Sequence, residues 1–157
     1  MKKFVFHSKS PAATTEFGEK IGGQIKEGSV VGLTGELGCG KTLLTRGICA
    51  GLGVPLRQVN SPTFIMINEY HGRLHVFHLD MYQIETEEEV IELGITDYLY
   101  RARSGVMIIE WAEKMLSLLP DDLLRMNFDV VSARKRRLEL TTGGERFDEL
   151  FKELSKL

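Results

Sequence analysis

Between Ser29 and Thr45 the chain reads SVVGLTGELGCGKTLLT, and this stretch constrains the fold more than any other. A short apolar run, Ser29 to Thr34, leads into Gly35-Glu36-Leu37-Gly38-Cys39-Gly40-Lys41-Thr42, and a helix-forming sequence follows from Leu43. Two glycines with four residues between them, followed by lysine and a hydroxyl residue, form the phosphate-loop pattern. The pattern belongs at the turn from a buried strand into a helix, so it points to an α/β sheet. In such a loop consecutive backbone N–H groups turn inward around a phosphate chain, and the helix N-terminus adds partial positive charge. Lys41 adds a full charge at the outer phosphates, and Thr42 offers a hydroxyl oxygen to the magnesium that travels with a nucleotide. Side chains at Gly38 or Gly40 would obstruct the backbone's approach to the phosphates. Gly35, Glu36, Cys39 and Leu43 complete the expected nucleotide-binding set. The segment implies a nucleoside triphosphate bound with magnesium.

At 157 residues, 43% of them apolar, one domain spanning 1–157 with a single core is expected. Twenty basic and 22 acidic residues leave a formal charge of −2, so no global field favours nucleic acid or a membrane surface. The start, MKKFVFHSKS, lacks the apolar stretch of a signal peptide, and no segment approaches the length of a membrane span. Cys39 and Cys49 do not make a disulfide framework, and a cytoplasmic protein is expected. Cys39 would sit at a helix N-terminus, which favours a thiolate. A small residue filling the loop is the simpler role.

Along the chain, Lys3 to His7 reads as a first strand. Ser10-Pro11 is a helix start, with an N-cap and a proline in the first turn, and the helix should run to about Lys26 and stop at Gly28. The helix after the loop should end near Gly51 to Gly53. Val54 to Pro62 reads as a loop. Phe64 to Tyr70 and Leu74 to Leu79 are strand-like runs joined around His71-Gly72-Arg73, a hairpin pattern. Glu85 to Tyr100 reads as one helix with an acidic first turn. Gly105 to Glu110 is a continuous apolar run, the mark of a strand buried on both faces. Leu123 to Val131 and Arg137 to Thr142 alternate as late strands, with the basic cluster Ala133 to Arg137 at the turn between them. Phe147, Leu150, Phe151, Leu154 and Leu157 recur at helical spacing. The fold class is therefore α/β, a phosphate-loop three-layer sandwich around a mixed, mostly parallel sheet.

A phosphate-loop site uses a second acid at the end of a neighbouring strand to hold magnesium or its water. Asp80 ends one strand and Glu110 another, both at the edge where α/β sheets bind ligands. The run before Glu110 is the more apolar and so the more central. Glu110 is assigned to the metal shell with Thr42, and Asp80 to orienting the attacking water or completing that shell. Ser61-Pro62-Thr63-Phe64 follows at the separation of a switch segment, where a threonine hydroxyl can sense the terminal phosphate. A proline turn entering a strand accounts for it equally well. Trp111 packs beside the nucleotide, presents an aromatic face to a partner, or fills the core. His71, His75 and His78 suggest zinc at first sight, but residues 75 and 78 of a strand face opposite sides and no cysteine lies nearby.

Five segments together resemble one family: GELGCGKTLLTRG at 35–47, SPTF at 61–64, HLDMY at 78–82, ELGITDYL at 92–99 and IEWAEK at 109–114. In this order, in a chain this short, they are similar to TsaE (also called YjeE), a small bacterial ATPase family of tRNA threonylcarbamoyladenosine synthesis. The resemblance implies weak hydrolysis of ATP with Mg2+ and action within an assembly. Its partners would be a TsaB–TsaD complex, which transfers a threonylcarbamoyl group to adenosine 37 of tRNAs reading codons that start with A. Contact with tRNA would be indirect. It places Lys41 and Thr42 at the phosphates and metal, Glu110 at the metal, and gives functional roles to Thr63, Asp80 and Trp111. Ser10 or Thr14, and an arginine of the 134–137 cluster, taken as Arg136, would flank the nucleotide base. The chain departs from the family pattern at Gln83, where arginine is usual, and at Ala112, where proline is usual. Two other classes fit the phosphate loop or the basic cluster alone: a small-molecule kinase, and a protein that binds RNA directly through residues 133–137.

Overall fold

The computed structural model describes residues 1–60 and 67–157. Its centre is a seven-stranded sheet made of β1 (Lys2–Ser8), β2 (Ser29–Thr34), β3 (Ile67–His71), β4 (His75–Asp80), β5 (Gly105–Glu110), β6 (Leu124–Val130) and β7 (Arg136–Thr142). The spatial order is β1-β7-β6-β2-β5-β4-β3. Strands β6, β2, β5 and β4 pair in parallel, while β3, β7 and β1 join through antiparallel ladders. Since β1 opposes β7 and β7 opposes β6, β1 runs with the central four. The sheet is thus mixed, with most of its strands pointing one way. β2 and β5 are buried along their whole length, which explains why both read as continuous apolar runs rather than alternating ones.

Helices α1 (Pro11–Gln24), α2 (Lys41–Gly51) and α5 (Asp148–Leu154) cover one face; α3 (Glu87–Glu92) and α4 (Ile95–Arg101) cover the other. Alternation along each strand divides the core accordingly. Val31, Leu33, Val106 and Ile108 pack with Phe17, Ile21, Leu44 and Ile48, whereas Val30, Met107 and Ile109 pack with Val90, Ile95 and Met115. This is the three-layer sandwich expected from the sequence.

α1 begins as its sequence dictates. Ser10 Oγ accepts from the Ala13 N–H at 3.1 Å, and Pro11 occupies the first turn. It ends at Gln24, slightly before the expected Lys26. It crosses α2 through glycines: a Cβ on Gly22 would stand 2.1 Å from the Ile48 carbonyl oxygen, and one on Gly47 2.2 Å from that of Thr15. The hairpin β3–β4 turns at Gly72 and docks on the end of α2, where the Arg73 N–H donates to the Leu52 carbonyl.

Two expectations are corrected. The single helix over Glu85 to Tyr100 is two: Thr86 caps α3 through the Glu89 N–H, and Gly94, with φ of 81°, redirects the chain before α4. That left-handed conformation suits glycine and ends a helix. Leu157 does not share the apolar face of α5; it lies beyond the helix and is 60% exposed, while Leu150 and Leu154 are buried. Among the described residues no helix is long and apolar enough to cross a membrane.

Candidate functional site

The C-terminal ends of β2, β5 and β4 lie side by side, and the site is assembled there from three separate stretches of sequence. β2 delivers the loop 35–40. Gly38 and Gly40 adopt φ of 76° and 113°, backbone that residues with a Cβ rarely tolerate. A Cβ on Gly38 would meet no protein atom within 4 Å, so its side faces open space. The left-handed backbone, and room for a ligand, are what require glycine there. No side chain caps the start of α2, whose first residue is Lys41. A helix start of this kind presents N–H donors and partial positive charge to an anion.

Lys41 is only 5% exposed. Its Nζ donates to the carbonyls of Gly35 at 2.7 Å and Glu36 at 2.9 Å, and sits 3.9 Å from the centre of the Trp111 ring. The loop thus holds its own cation at its mouth. Trp111 takes φ of 62°, the one positive value outside glycine among the described residues. This strained turn at the end of β5 aims the indole at Lys41 and Tyr82, whose ring centre is 5.2 Å away.

Thr42 and Glu110 come together across β2 and β5: the Thr42 hydroxyl donates to Glu110 Oε1 at 2.8 Å. β5 is the immediate neighbour of β2, as its apolar run foretold. Glu110 is 2% exposed, and its second oxygen lies 2.5 Å from His78 Nε2. Asp80 stands beside Glu110 in the β4–β5 register and accepts the Tyr82 N–H at 3.0 Å. Burial pushes its carboxyl above the ordinary value; the Tyr82 N–H opposes this, and the charge of Glu110 adds to it.

The remaining candidates fall in two groups. Arg136 reaches the loop, donating from Nε to the Cys39 carbonyl at 2.9 Å while Nη1 binds carbonyls of the β6–β7 turn. Ser10 is brought near by register, because Ser8 pairs with Arg136, but its hydroxyl is engaged as the cap of α1. Glu36 is exposed and Leu43 half-buried on the first turn of α2. Thr63, and the SPTF segment with it, lie outside the described residues. Cys39 is buried, and burial raises its thiol pKa even though Lys41 opposes the shift, so the thiolate that a helix start would favour is not favoured here. The basic cluster is partly spent on its own turn: besides Arg136, Arg137 pairs with Asp129 and Glu139.

Sequence reasoning missed His78 and Tyr70 as members of the site. His78 opens the HLDMY segment but was weighed only as a zinc ligand, and Tyr70 carries no motif; their meeting with Glu110 follows from the pairing of β4 with β5 and β3. It also missed Glu113 and Asn127, which with Gly35, Trp111 and Phe128 line a cleft of about 500 Å³ at the loop. Glu113 accepts the Gly35 N–H at 3.4 Å, and Asn127 the Thr34 hydroxyl at 2.8 Å.

Fold and site together define a class: α/β proteins in which a glycine loop joins a central strand to a helix, with an acid from the adjacent parallel strand beside the first helical hydroxyl. Comparison with known proteins narrows it. The family model "Threonylcarbamoyl adenosine biosynthesis protein TsaE" matches residues 8–138. The tRNA threonylcarbamoyladenosine biosynthesis protein TsaE of Bacillus subtilis is 36% identical over 99% of this chain and 96% of its own length. That of Treponema pallidum is 35% identical over 83% of this chain and 95% of its own length. A crystal structure of Bacillus subtilis YdiB superposes with a TM-score of 0.77 at 28% identity, covering 99% of this chain and 95% of that one. The chain belongs to the TsaE family, whose members take part in threonylcarbamoyladenosine biosynthesis in tRNA.

Proposed function

We propose that the chain is a single ATPase domain that binds ATP with Mg2+, hydrolyses it slowly, and acts in the cytoplasm within a TsaB–TsaD complex modifying adenosine 37 of tRNAs that read codons starting with A. The observation that carries the reading is the pairing of Thr42 with Glu110, 2.8 Å apart, at the foot of a glycine loop that holds Lys41.

The residues fit the group. Thr42 and Glu110 would hold magnesium, two oxygens suiting a hard cation that keeps water and phosphate ligands. When bound, the metal neutralises charge on the phosphates. Among the described residues no cluster of three or more His, Cys, Asp or Glu is placed to hold a metal unaided. Lys41 would exchange loop carbonyls for phosphate oxygens at little cost in reach, since it already lies at the mouth. Asp80, half-buried beside Glu110, is positioned to orient water. Arg136 ties the β6–β7 turn to the loop at Cys39, which supports a place beside the nucleotide.

Partner dependence is supported by family membership and by charge. The −2 balance and the internally paired Arg136 and Arg137 argue for an indirect path to tRNA. The test is association of the purified chain with a TsaB–TsaD pair, with and without ATP, alongside the hydrolysis rate. Slow turnover alone and a changed rate or ATP-dependent association with the pair are expected. Neither response, or stoichiometric phosphate transfer to a metabolite, would sink the assembly reading; the latter would favour a kinase.

A further inference from the structure

Glu110 has two carboxylate oxygens, and only one of them faces the loop. Oε1 accepts from Thr42, and Oε2 meets His78 Nε2 at 2.5 Å in a place where His78 is wholly buried. A carboxylate only accepts hydrogen bonds, so Nε2 carries the proton. The other ring nitrogen, Nδ1, lies 3.0 Å from the Tyr70 hydroxyl. With Nε2 protonated, the neutral ring has Nδ1 free to accept that hydroxyl. Tyr70 Oη in turn accepts from Asn68 Nδ2 at 3.4 Å and lies 3.3 Å from the Asn60 carbonyl. Asn60 is the residue just before the SPTF segment in sequence.

We propose that His78 is a positioning residue: it fixes the rotamer of Glu110, so that one oxygen stays on Thr42 at the metal site, and Tyr70 fixes the ring of His78. A chain Thr42–Glu110–His78–Tyr70–Asn68 then runs from α2 across β5, β4 and β3, and Asn68 Nδ2 also donates to the Asn60 carbonyl at 3.3 Å. Without it, Glu110 would turn among its rotamers, and its carboxylate would lie away from Thr42 and the metal position for part of the time. A buried histidine on an apolar strand needs some hydrogen-bond partner, but a purely structural histidine has no reason to select the free oxygen of a metal-site acid. Partners that orient a ligand from behind are worth about 10- to 100-fold in metal affinity or activity.

The proposal rests on the magnesium-ATP reading, and the experiment separates the two. Trp111, the only tryptophan and adjacent to Lys41, reports nucleotide binding by fluorescence. The magnesium concentration for half-maximal binding of ATP, the ATP affinity in chelator, and kcat and KM for hydrolysis are measured for wild type, His78→Leu, His78→Gln, His78→Asn and Tyr70→Phe. His78→Leu should raise the magnesium requirement about tenfold and lower kcat about 10- to 100-fold, with KM and the chelator affinity within about twofold. Glutamine extends an N–H toward the Nε2 position and should restore most of the loss. Asparagine is too short and should not, and Tyr70→Phe should lie between. The Gln–Asn pair decides the matter even if the leucine variant fails to fold. Equal behaviour of Gln and Asn, a wild-type magnesium requirement in Tyr70→Phe and the folded His78 variants, or a parallel fall of chelator affinity would overturn the positioning role while leaving the ATP reading intact. A wild-type protein that binds no ATP at any magnesium concentration would overturn both.

Discussion

At Lys41 the charge is held by two loop carbonyls and an indole, and these are contacts that a phosphate can replace. A charge-assisted hydrogen bond is worth about 1.5–3 kcal/mol, roughly 10- to 100-fold in affinity. Lys41→Ala should therefore weaken ATP binding by at least tenfold in a Trp111 fluorescence titration; an unchanged affinity would contradict the cradle. Cys49 makes a prediction of a different kind. Burial, aided by the nearby Glu110 charge, pushes its thiol up to about 12 from 9.0. In the unfolded chain the thiol ionises from about pH 9, whereas the folded protein keeps the proton until about 12. The native state binds the extra proton between those values, so stability is lost as pH rises through them. Urea midpoints of wild type should fall faster than those of Cys49→Ala from pH 9 upward, the two running parallel below; parallel curves throughout would contradict the shift. Lys41, Thr42 and the glycines were legible in sequence because a contiguous loop must carry them. Glu110 was legible through the apolar run before it. His78 and Tyr70 were not, since their meaning depends on which strand lies next to theirs.

Helix α1 was readable from its cap and first-turn proline, and α2 from the loop, but the way they meet was not. Gly18, Gly22, Gly47 and Gly51 look like poor helix formers until the crossing brings backbone against backbone. There a methyl group has no room: Gly22→Ala would place it 2.1 Å from the Ile48 carbonyl oxygen. Overpacking of this kind costs about 1–3 kcal/mol. Its neighbour Gly23 has nothing within 4 Å of the same atom, and alanine there gains helix propensity of about 0.5–1 kcal/mol. Thermal melts should show Gly22→Ala less stable than wild type and Gly23→Ala equal or slightly better. Two variants that behave alike would mean the crossing relaxes freely. The split of α3 from α4 was hidden for a related reason. The acidic turn and apolar spacing of 85–100 suit a helix on both sides, and a glycine inside a helix is tolerated often enough that Gly94 alone does not announce a bend.

The assembled molecule adds what neither residues nor elements contain, namely the order of strands. β1 and β7 lie far from each other in sequence yet pair at the sheet's edge, and such nonlocal pairing leaves no periodic trace. The parallel centre was legible because β2 and β5 each read as buried on both faces, and it is this centre that brings the loop, Glu110 and Asp80 to one edge. A ligand there would touch the ends of three adjacent strands and the start of α2, and so would stabilise the sheet itself rather than a loop at its margin. If the proposed ligand binds only the folded state, ATP at about 100 times its dissociation constant adds about 2.7 kcal/mol. At about 2–4 °C per kcal/mol for a chain of this length, the melting temperature should rise by roughly 5–10 °C. With magnesium present the shift should be full, in chelator it should be smaller, and Lys41→Ala should abolish most of it at the same ATP concentration. A shift of the same size with and without magnesium would remove Thr42 and Glu110 from the metal site, and a full shift in Lys41→Ala would move the nucleotide away from the loop.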